Sequence, residues 1–355
     1  MKHLELFSGI GGFRQALELI SKDWGLKFDN IGFSEIEPNA VASYKAAFKT
    51  EGEQEIGDIV SFNSDEGNIR RLSKFQLLTG GFPCQAFSMM GKQKGFADLR
   101  GNVFFQILKI INIKRPKYIL LENVRNLLNH DQGKTFKFII SSIKEAGYPY
   151  IYFDVFNTQN FGLAQKRNRV FIFASTKEIK NLSFDHISIA NEFKKIIDKT
   201  STEHQTTTHD ILEKEVDKKY YLSNVIKPTI LADGSSSYHS KSDINPLIAK
   251  PLTATMGKMH RACQDNYFSD GYILCDDPVA YSKIEYSKEE LAKQNIRKLT
   301  PREAFLLQGF SNEYFDKVSK TGVSNAQLYK QAGNAVSVNT VYAILYYLFI
   351  VRKLR

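Results

Sequence analysis

The sequence predicts an α/β protein carrying a second, smaller and loop-rich domain. Two observations lead there. From residue 1 to about 178, short apolar runs alternate with segments of helical period, the pattern of a βαβα sheet protein. From about 180 to 292 that periodicity fades into polar, turn-rich sequence such as Ser201-Thr202-Glu203-His204-Gln205-Thr206 and Asp233-Gly234-Ser235-Ser236-Ser237-Tyr238. In the first zone, residues 4–7, 118–121, 151–155 and 170–174 read as strands, and 13–20, 39–48, 103–113 and 135–146 as helices. From 293 onward, Thr300-Pro301-Arg302-Glu303 has the form of a capped helix start with proline at the first helical position, and 338–351 that of a closing helix. The expected division is therefore 1–179, 180–292 and 293–355, with no internal repeat.

A chain of 355 residues suits about two domains and buries a core without disulfide or metal staples. Hydrophobic residues make up 43% and charged residues 24%, with 9 prolines, which excludes a chain dominated by disorder. The three cysteines, Cys84, Cys263 and Cys275, include no Cys-x-x-Cys pair, which argues against a secreted disulfide framework or a structural zinc site and for a reducing cytoplasm. His204 and His209 lie in a polar stretch that does not read as helix, so no metal is expected. The N-terminus has no signal-peptide run, and the longest apolar stretch, 335–351, is interrupted by Ser337, Asn339 and Thr340 and is too short to span a bilayer. It reads as a buried helix, and no membrane partner is expected. The net charge of +10 points to a polyanionic partner. Residues 180–292 hold 14 Lys+Arg against 17 Asp+Glu, a net of −3, so the remainder carries +13. Electrostatic hold on a polyanion is thus expected outside the middle zone, with local groups inside it reading detail.

Four constellations carry chemistry. Leu6-Phe7-Ser8-Gly9-Ile10-Gly11-Gly12-Phe13 runs from a strand through a glycine turn into a helix, where the backbone can approach a ligand closely. A dinucleotide fingerprint would place its third glycine where Arg14 stands, which disfavours NAD. Glu35 follows at the distance of an acid that binds ribose hydroxyls, and Asp58 could accept from an exocyclic amine; solvated loop acids are the alternative for both. Gly80-Gly81-Phe82-Pro83-Cys84-Gln85 follows the apolar pair Leu77-Leu78, so Cys84 would sit at the carboxyl end of the sheet rather than in the core. The stretch 89–100 beyond it, with Lys92, Lys94 and Arg100, reads as a basic loop able to close over a substrate. Leu120-Leu121-Glu122-Asn123-Val124 ends a strong strand on a carboxyl whose apolar setting would keep it protonated for donation. Gln165-Lys166-Arg167-Asn168-Arg169 puts Arg167 and Arg169 on one face by strand alternation, unless it is a solvated basic turn.

These four motifs, followed by Gln331-Ala332-Gly333-Asn334-Ala335-Val336, stand in the order found in the DNA (cytosine-5) methyltransferases, and the chain resembles that family, especially its bacterial type II restriction-modification members. The family's middle-zone Thr followed by a branched aliphatic has its nearest counterparts in Thr255-Met256 and Thr253-Ala254. The resemblance implies a Rossmann-like S-adenosylmethionine-dependent methyltransferase fold with a mixed, mostly parallel sheet. Residues 180–292 become a target-recognition domain, and 293–355 complete the catalytic domain. It implies S-adenosylmethionine as methyl donor, its methionine end near Phe7, Ser8, Gly9, Gly11 and Gly12, its ribose on Glu35, its adenine near Ile36, Asp58 and Ile59, and Asn334 and Val336 completing the pocket. Cys84 would add to carbon 6 of cytosine, turning the ring into a nucleophile at carbon 5. Glu122 would hydrogen-bond or protonate ring nitrogen 3, Arg169 would hold the base oxygen, and Arg167 would lie close to a phosphate. Because carbon 6 is inaccessible in a stacked duplex, the base must be flipped out.

The implied partner is double-stranded DNA, bound by a monomer in the bacterial cytoplasm, with a restriction endonuclease as functional counterpart. Ser88, Lys92, Arg100, His260 and Arg261 are the candidate DNA contacts; the turn 257–261 is either DNA-facing, with Arg261 reading a guanine, or a solvated loop, and Lys92 would pair with phosphate. A tRNA cytosine-5 methyltransferase is the nearest rival, and competition between duplex DNA and tRNA separates the two. A catalytically silent DNA-binding protein is the other, opposed by the presence of Cys84, Glu122 and Arg169.

Overall fold

The computed structural model describes residues 1–83, 103–232 and 243–354, with the backbone of the two-residue strands Gly234–Ser235 and Tyr238–His239. They form two compact units, one of Met1–Asn157, Asn168–Ser201 and Thr340–Arg355, the other of Thr158–Arg167 and Thr202–Asn339. Residues 293–339 thus cluster with the middle region, and so does the short excursion 158–167.

Unit 1 is built on seven strands: β1 (Lys2–Leu6), β2 (Asp29–Ser34), β3 (Gln54–Glu55), β4 (Leu77–Gly81), β5 (Tyr118–Val124), β6 (Tyr150–Asn157) and β7 (Asn168–Ser175). Their order across the sheet is β3-β2-β1-β4-β5-β7-β6. β1 to β5 run parallel, while β7 is antiparallel to both β5 and β6. This is the mixed, mostly parallel Rossmann-like sheet that the sequence led us to expect. The expected helices are also present as Gly12–Trp24, Pro38–Ala47, Val103–Lys114 and Lys134–Glu145.

Parallel strands buried on both faces need apolar runs, and β1, β4 and β5 supply Leu4, Leu6, Leu78, Ile119 and Leu121. These share one core with Ile107, Ile110, Ile111, Ile139 and Ile143 of the helices, each such side chain contributing about 1.5–3 kcal/mol on burial. The closing helix Val338–Leu345 continues as a π-helical turn, Tyr346–Val351. Within unit 1, Tyr342 Oη accepts from Trp24 Nε1 at 2.8 Å and donates to Asp23 at 2.8 Å, and the Phe349 ring lies edge-on to those of Phe28 and Tyr118. The stretch Asn325–Val351 is long and apolar enough to cross a bilayer, yet 83% of its most apolar window is buried inside the protein.

Unit 2 has little regular sheet. Tyr267–Ser269 pairs antiparallel with Ile296–Lys298, and Leu222, Ile230 and Leu231 pack with Tyr267 and Ile296 into a small core. The helix Pro301–Leu306 starts as its sequence indicates: Thr300 accepts from the Glu303 amide, and the Glu303 carboxylate accepts from the Thr300 amide. Glu303 also receives two guanidinium bonds from Arg297, at 2.7 and 2.9 Å, with both side chains fully buried.

What this fold contributes to function is an edge. Leu6 lies opposite both Ser34 and Gly80, so β1, β2 and β4 end level with one another, and the first two motifs leave the sheet there. In open α/β sheets, ligands bind outside the carboxyl ends of the strands.

Candidate active site

The glycine turn is locked from both sides. Phe7 sits in the left-handed region at φ 53°, a conformation that a bulky residue adopts only when its surroundings enforce it. The Ser8 amide donates to the Ser34 carbonyl at 2.9 Å, and the Gly11 amide donates to the Ser8 carbonyl at 2.7 Å. Gly11, at φ 80°, must be glycine, because a Cβ there would collide with the rings of Phe48 and Tyr44. Glu35 then clamps the turn to the end of β2: one carboxylate oxygen accepts from the Gly9 amide at 2.8 Å, the other from the amides of Ile36 and Glu37 at 2.8 Å each. Asp58 caps the short helix Ile59–Phe62 and accepts from the Ser61 hydroxyl at 2.6 Å, which is the main reason its carboxyl lies below the usual range.

These groups fit a ligand that carries hydroxyl donors and a flat apolar ring. The Ser8 hydroxyl is buried with no hydrogen-bond partner among the described residues. The Glu35 carboxylate keeps accepting capacity beyond its amide bonds. Ile36 is 72% exposed, an apolar surface placed beside that carboxylate, whereas Ile59 is buried. The Gly12 amide region opens the helix Gly12–Trp24, whose positive end favours a carboxylate.

At the next strands, Glu122 of β5 lies in register with Gly81 of β4 and with Phe171 of β7. Arg169 is paired with Val124, two residues on, so its side chain shares the face of Glu122 and meets it diagonally. The result is a charge-assisted bond of 2.9 Å from Arg169 Nε to Glu122, with both side chains largely buried. The apolar setting expected for Glu122 is therefore corrected, since its immediate neighbour is a guanidinium. Cys84, Ser88, Lys92 and Arg100 lie outside the described residues.

Arg167 also departs from expectation. Instead of reaching a phosphate, it precedes β7 and is buried in unit 2. There it donates to the carbonyls of Leu252, Gly333 and Ala335, each at 3.0 Å. A guanidinium taken out of water has to spend its donors on acceptors, and these carbonyls come from two segments, at 252 and at 333–335, that chain order keeps far apart. Gly333 likewise admits only glycine, because a Cβ would overlap the Thr253 carbonyl. Asn334 ends the helix Asn325–Asn334 with its side chain exposed, and Val336 is half-buried.

Arg261 bonds to Thr253 Oγ1 at 2.6 Å and to Asp265 at 3.3 Å, with its side chain still partly exposed. The neighbouring His260 ring stacks on Tyr267. Burial lowers the His260 pKa, with Lys298 adding to the effect.

Against known proteins, the model of the C-5 cytosine-specific DNA methylases matches residues 1–349. The chain belongs to that family. Its relatives include the type II methyltransferase M1.ScrFI of Lactococcus lactis subsp. cremoris, 36% identical over 97% of this chain and 76% of the relative. Another is M.HpaII of Haemophilus parainfluenzae, 36% identical over 96% and 87%. Among solved structures, the methyltransferase EhMeth of Entamoeba histolytica and the Dnmt2 methyltransferase of S. pombe superpose with TM-scores of 0.72. Each covers 98% of both chains at 22% and 20% identity, which speaks to fold.

Two residues of this methylase organise the site without having been singled out in the sequence. Ser34 receives the Ser8 amide on its carbonyl and donates its hydroxyl to the Gly57 carbonyl at 3.0 Å, so the glycine turn, Glu35 and Asp58 all hang on one strand end. Nothing in its sequence context marks it beyond its place before Glu35. Asn123, buried next to Glu122, donates to the Phe82 carbonyl at 2.7 Å and accepts from the Val124 amide at 2.8 Å. Its presence in the Glu122-Asn123-Val124 motif was the available signal.

Proposed function

We propose that this methylase transfers a methyl group to carbon 5 of a flipped-out cytosine within a specific duplex DNA sequence, through a covalent adduct on Cys84, and so protects host DNA from a cognate restriction endonuclease. The observation that carries the reading is the Glu122–Arg169 pair at the carboxyl edge of the sheet, in a chain whose family match runs over 1–349. S-adenosylmethionine, when bound, supplies the methyl group on a sulfonium. Glu35 would hold its ribose hydroxyls, the Ser8 hydroxyl and the turn amides its methionine end, and Ile36 one face of the adenine, with Asp58 at the exocyclic amine. On the substrate side, the Cys84 thiolate would add to carbon 6, and once carbon 5 carries the methyl group, loss of the carbon 5 proton would expel the thiolate and restore the ring. Glu122 would have to carry a proton to donate it to ring nitrogen 3 and keep charge from accumulating on the ring, while Arg169 would hold the base oxygen. Preorganised donors of this kind are worth more in a water-poor site than in solvent.

Base choice is assigned to the middle region 180–292, and sequence-independent hold to the rest of the chain with its +13 charge. Arg167 and Arg261 would act within the fold, the first by joining the segments around 252 and 333 and the second by shaping the turn after 257. The protein is expected to work as a monomer on DNA in the bacterial cytoplasm. Incubation with labelled S-adenosylmethionine and mixed duplexes, followed by mapping of the modified base, tests the reading. Label on 5-methylcytosine in one recurrent sequence supports it, and label on tRNA in preference to duplex overturns it.

The cofactor assignment has its own test. Glu35 contacts groups equally present in the ground and transition states, so Glu35→Ala is expected to weaken S-adenosylmethionine binding more than it lowers the saturated rate. Losing bonds to a charged acceptor should reduce affinity by roughly 10- to 100-fold. Calorimetry on the free protein reads this directly, and unchanged affinity would remove Glu35 from the pocket.

A further inference from the structure

Beneath the glycine turn, a single phenol is bonded to both of the turn's arms. Tyr44 is fully buried on the helix Pro38–Ala47, stacked on Phe33 with ring centroids 4.4 Å apart. Its hydroxyl donates to Glu5 Oε2 of β1 at 3.0 Å, on the strand that enters the turn. The same oxygen receives Arg14, from the first turn of the helix that leaves it, at 3.4 Å, and Asn30 of β2 at 3.3 Å. Arg14 is in turn held by Glu53 at 2.7 Å and by the Lys49 carbonyl at 2.7 Å, with its guanidinium over the Tyr44 and Phe48 rings. The face of Gly11 rests against those two rings, so the depth of the turn is set by where they stand. At its other end, the helix carrying Tyr44 begins after Glu37, whose amide is one of the three bonded by Glu35.

We propose that Tyr44 is a positioning residue for the methyl donor: by bridging Glu5 and Arg14 it sets the spacing between β1 and the helix Gly12–Trp24, and through Gly11 and Glu37 it places the turn and the Glu35 carboxylate relative to each other. Arg14, which replaces the glycine of a dinucleotide fingerprint, is the partner that makes this bridge available. Tyr44 touches no ligand group itself and acts through backbone that does. The inference rests on the reading of the turn as the S-adenosylmethionine site.

Tyr44→Phe keeps the ring under Gly11 and removes only the hydroxyl. Burial pushes the Glu5 carboxyl up to about 8, so near pH 7 it is mostly neutral and the variant is not left with a stranded charge. Calorimetry of S-adenosylmethionine binding to the full-length free protein is expected to show an affinity loss of roughly 3- to 10-fold, the scale of one hydrogen bond. The rate at saturating donor should fall less than the affinity, and amide exchange in the segment 7–13 should quicken. A purely structural role would lower the melting temperature without this split. If Glu35→Ala weakens binding and Tyr44→Phe does not, the positioning role is overturned. If neither changes binding, the reading of the turn fails and the inference falls with it. Should Tyr44→Phe not fold, Arg14→Lys, which retains a cation for Glu53 but gives up the fork reaching Tyr44, is expected to move binding in the same direction; unchanged affinity there is equally fatal.

Discussion

Cys84→Ser should lower methyl transfer by roughly ten-thousandfold or more while DNA binding survives. At neutral pH a serine hydroxyl is almost wholly protonated and is a far weaker nucleophile than a thiolate, so the addition that activates carbon 5 is lost. Affinity for duplex depends on phosphate and base contacts that the substitution leaves alone. DNA carrying 5-fluorocytosine at the target provides the direct test. Fluorine cannot leave from carbon 5 as a proton does, so the wild-type protein should accumulate a stable covalent adduct that resists denaturing electrophoresis. An equally abundant adduct with the serine variant would mean that another residue is the nucleophile.

The largest effect on stability is expected at Arg297. Its guanidinium makes two fully buried bonds to Glu303 and two part-buried ones to the carbonyls of Glu213 and Lys298, at 2.8 and 3.1 Å. Glu303 is held as well by the amides of Glu213 and Thr300, at 2.7 Å each. Arg297→Ala would leave Glu303 as an uncompensated buried charge, costing about 3–5 kcal/mol. Replacing both members of such a pair by well-packed apolar residues is often close to neutral, so Arg297→Met with Glu303→Leu should be less destabilised than Arg297→Ala alone. Urea unfolding midpoints with their slopes measure this. A loss below about 1 kcal/mol for Arg297→Ala would show that the pair is not the strut its burial implies.

Much of unit 1 was legible because its signals are local. The apolar runs at 118–121 and 170–174 mark strands that are buried on both faces and need side chains of that kind. Thr300-Pro301-Arg302-Glu303 marked its helix start because a capping box is completed within four residues. β2 was harder. Asp29-Asn30-Ile31 keeps its first half exposed or half-exposed near the sheet's edge, so its apolar pattern is short, and its presence was implied mainly by Glu35 after it. The glycine turn was visible as a motif, yet the reason Gly11 cannot change lies in Phe48 and Tyr44, more than thirty residues away.

The sequence by itself determined the α/β class, the order of the motifs, the helix caps and the family, since each is a property of neighbouring residues or of their succession along the chain. Only the tertiary structure decided which polar side chains are free to act. Arg167 and Arg169 stand two apart in one basic motif, but one is consumed by three buried carbonyls and the other lies at the sheet edge beside Glu122. Arg261, equally basic on paper, is held by Asp265 and Thr253. The physical reason is plainest at Arg167. A buried donor must find an acceptor, the acceptors that satisfy Arg167 come from segments brought close only by folding, and a side chain bound in that way is withdrawn from the chemistry its type suggests.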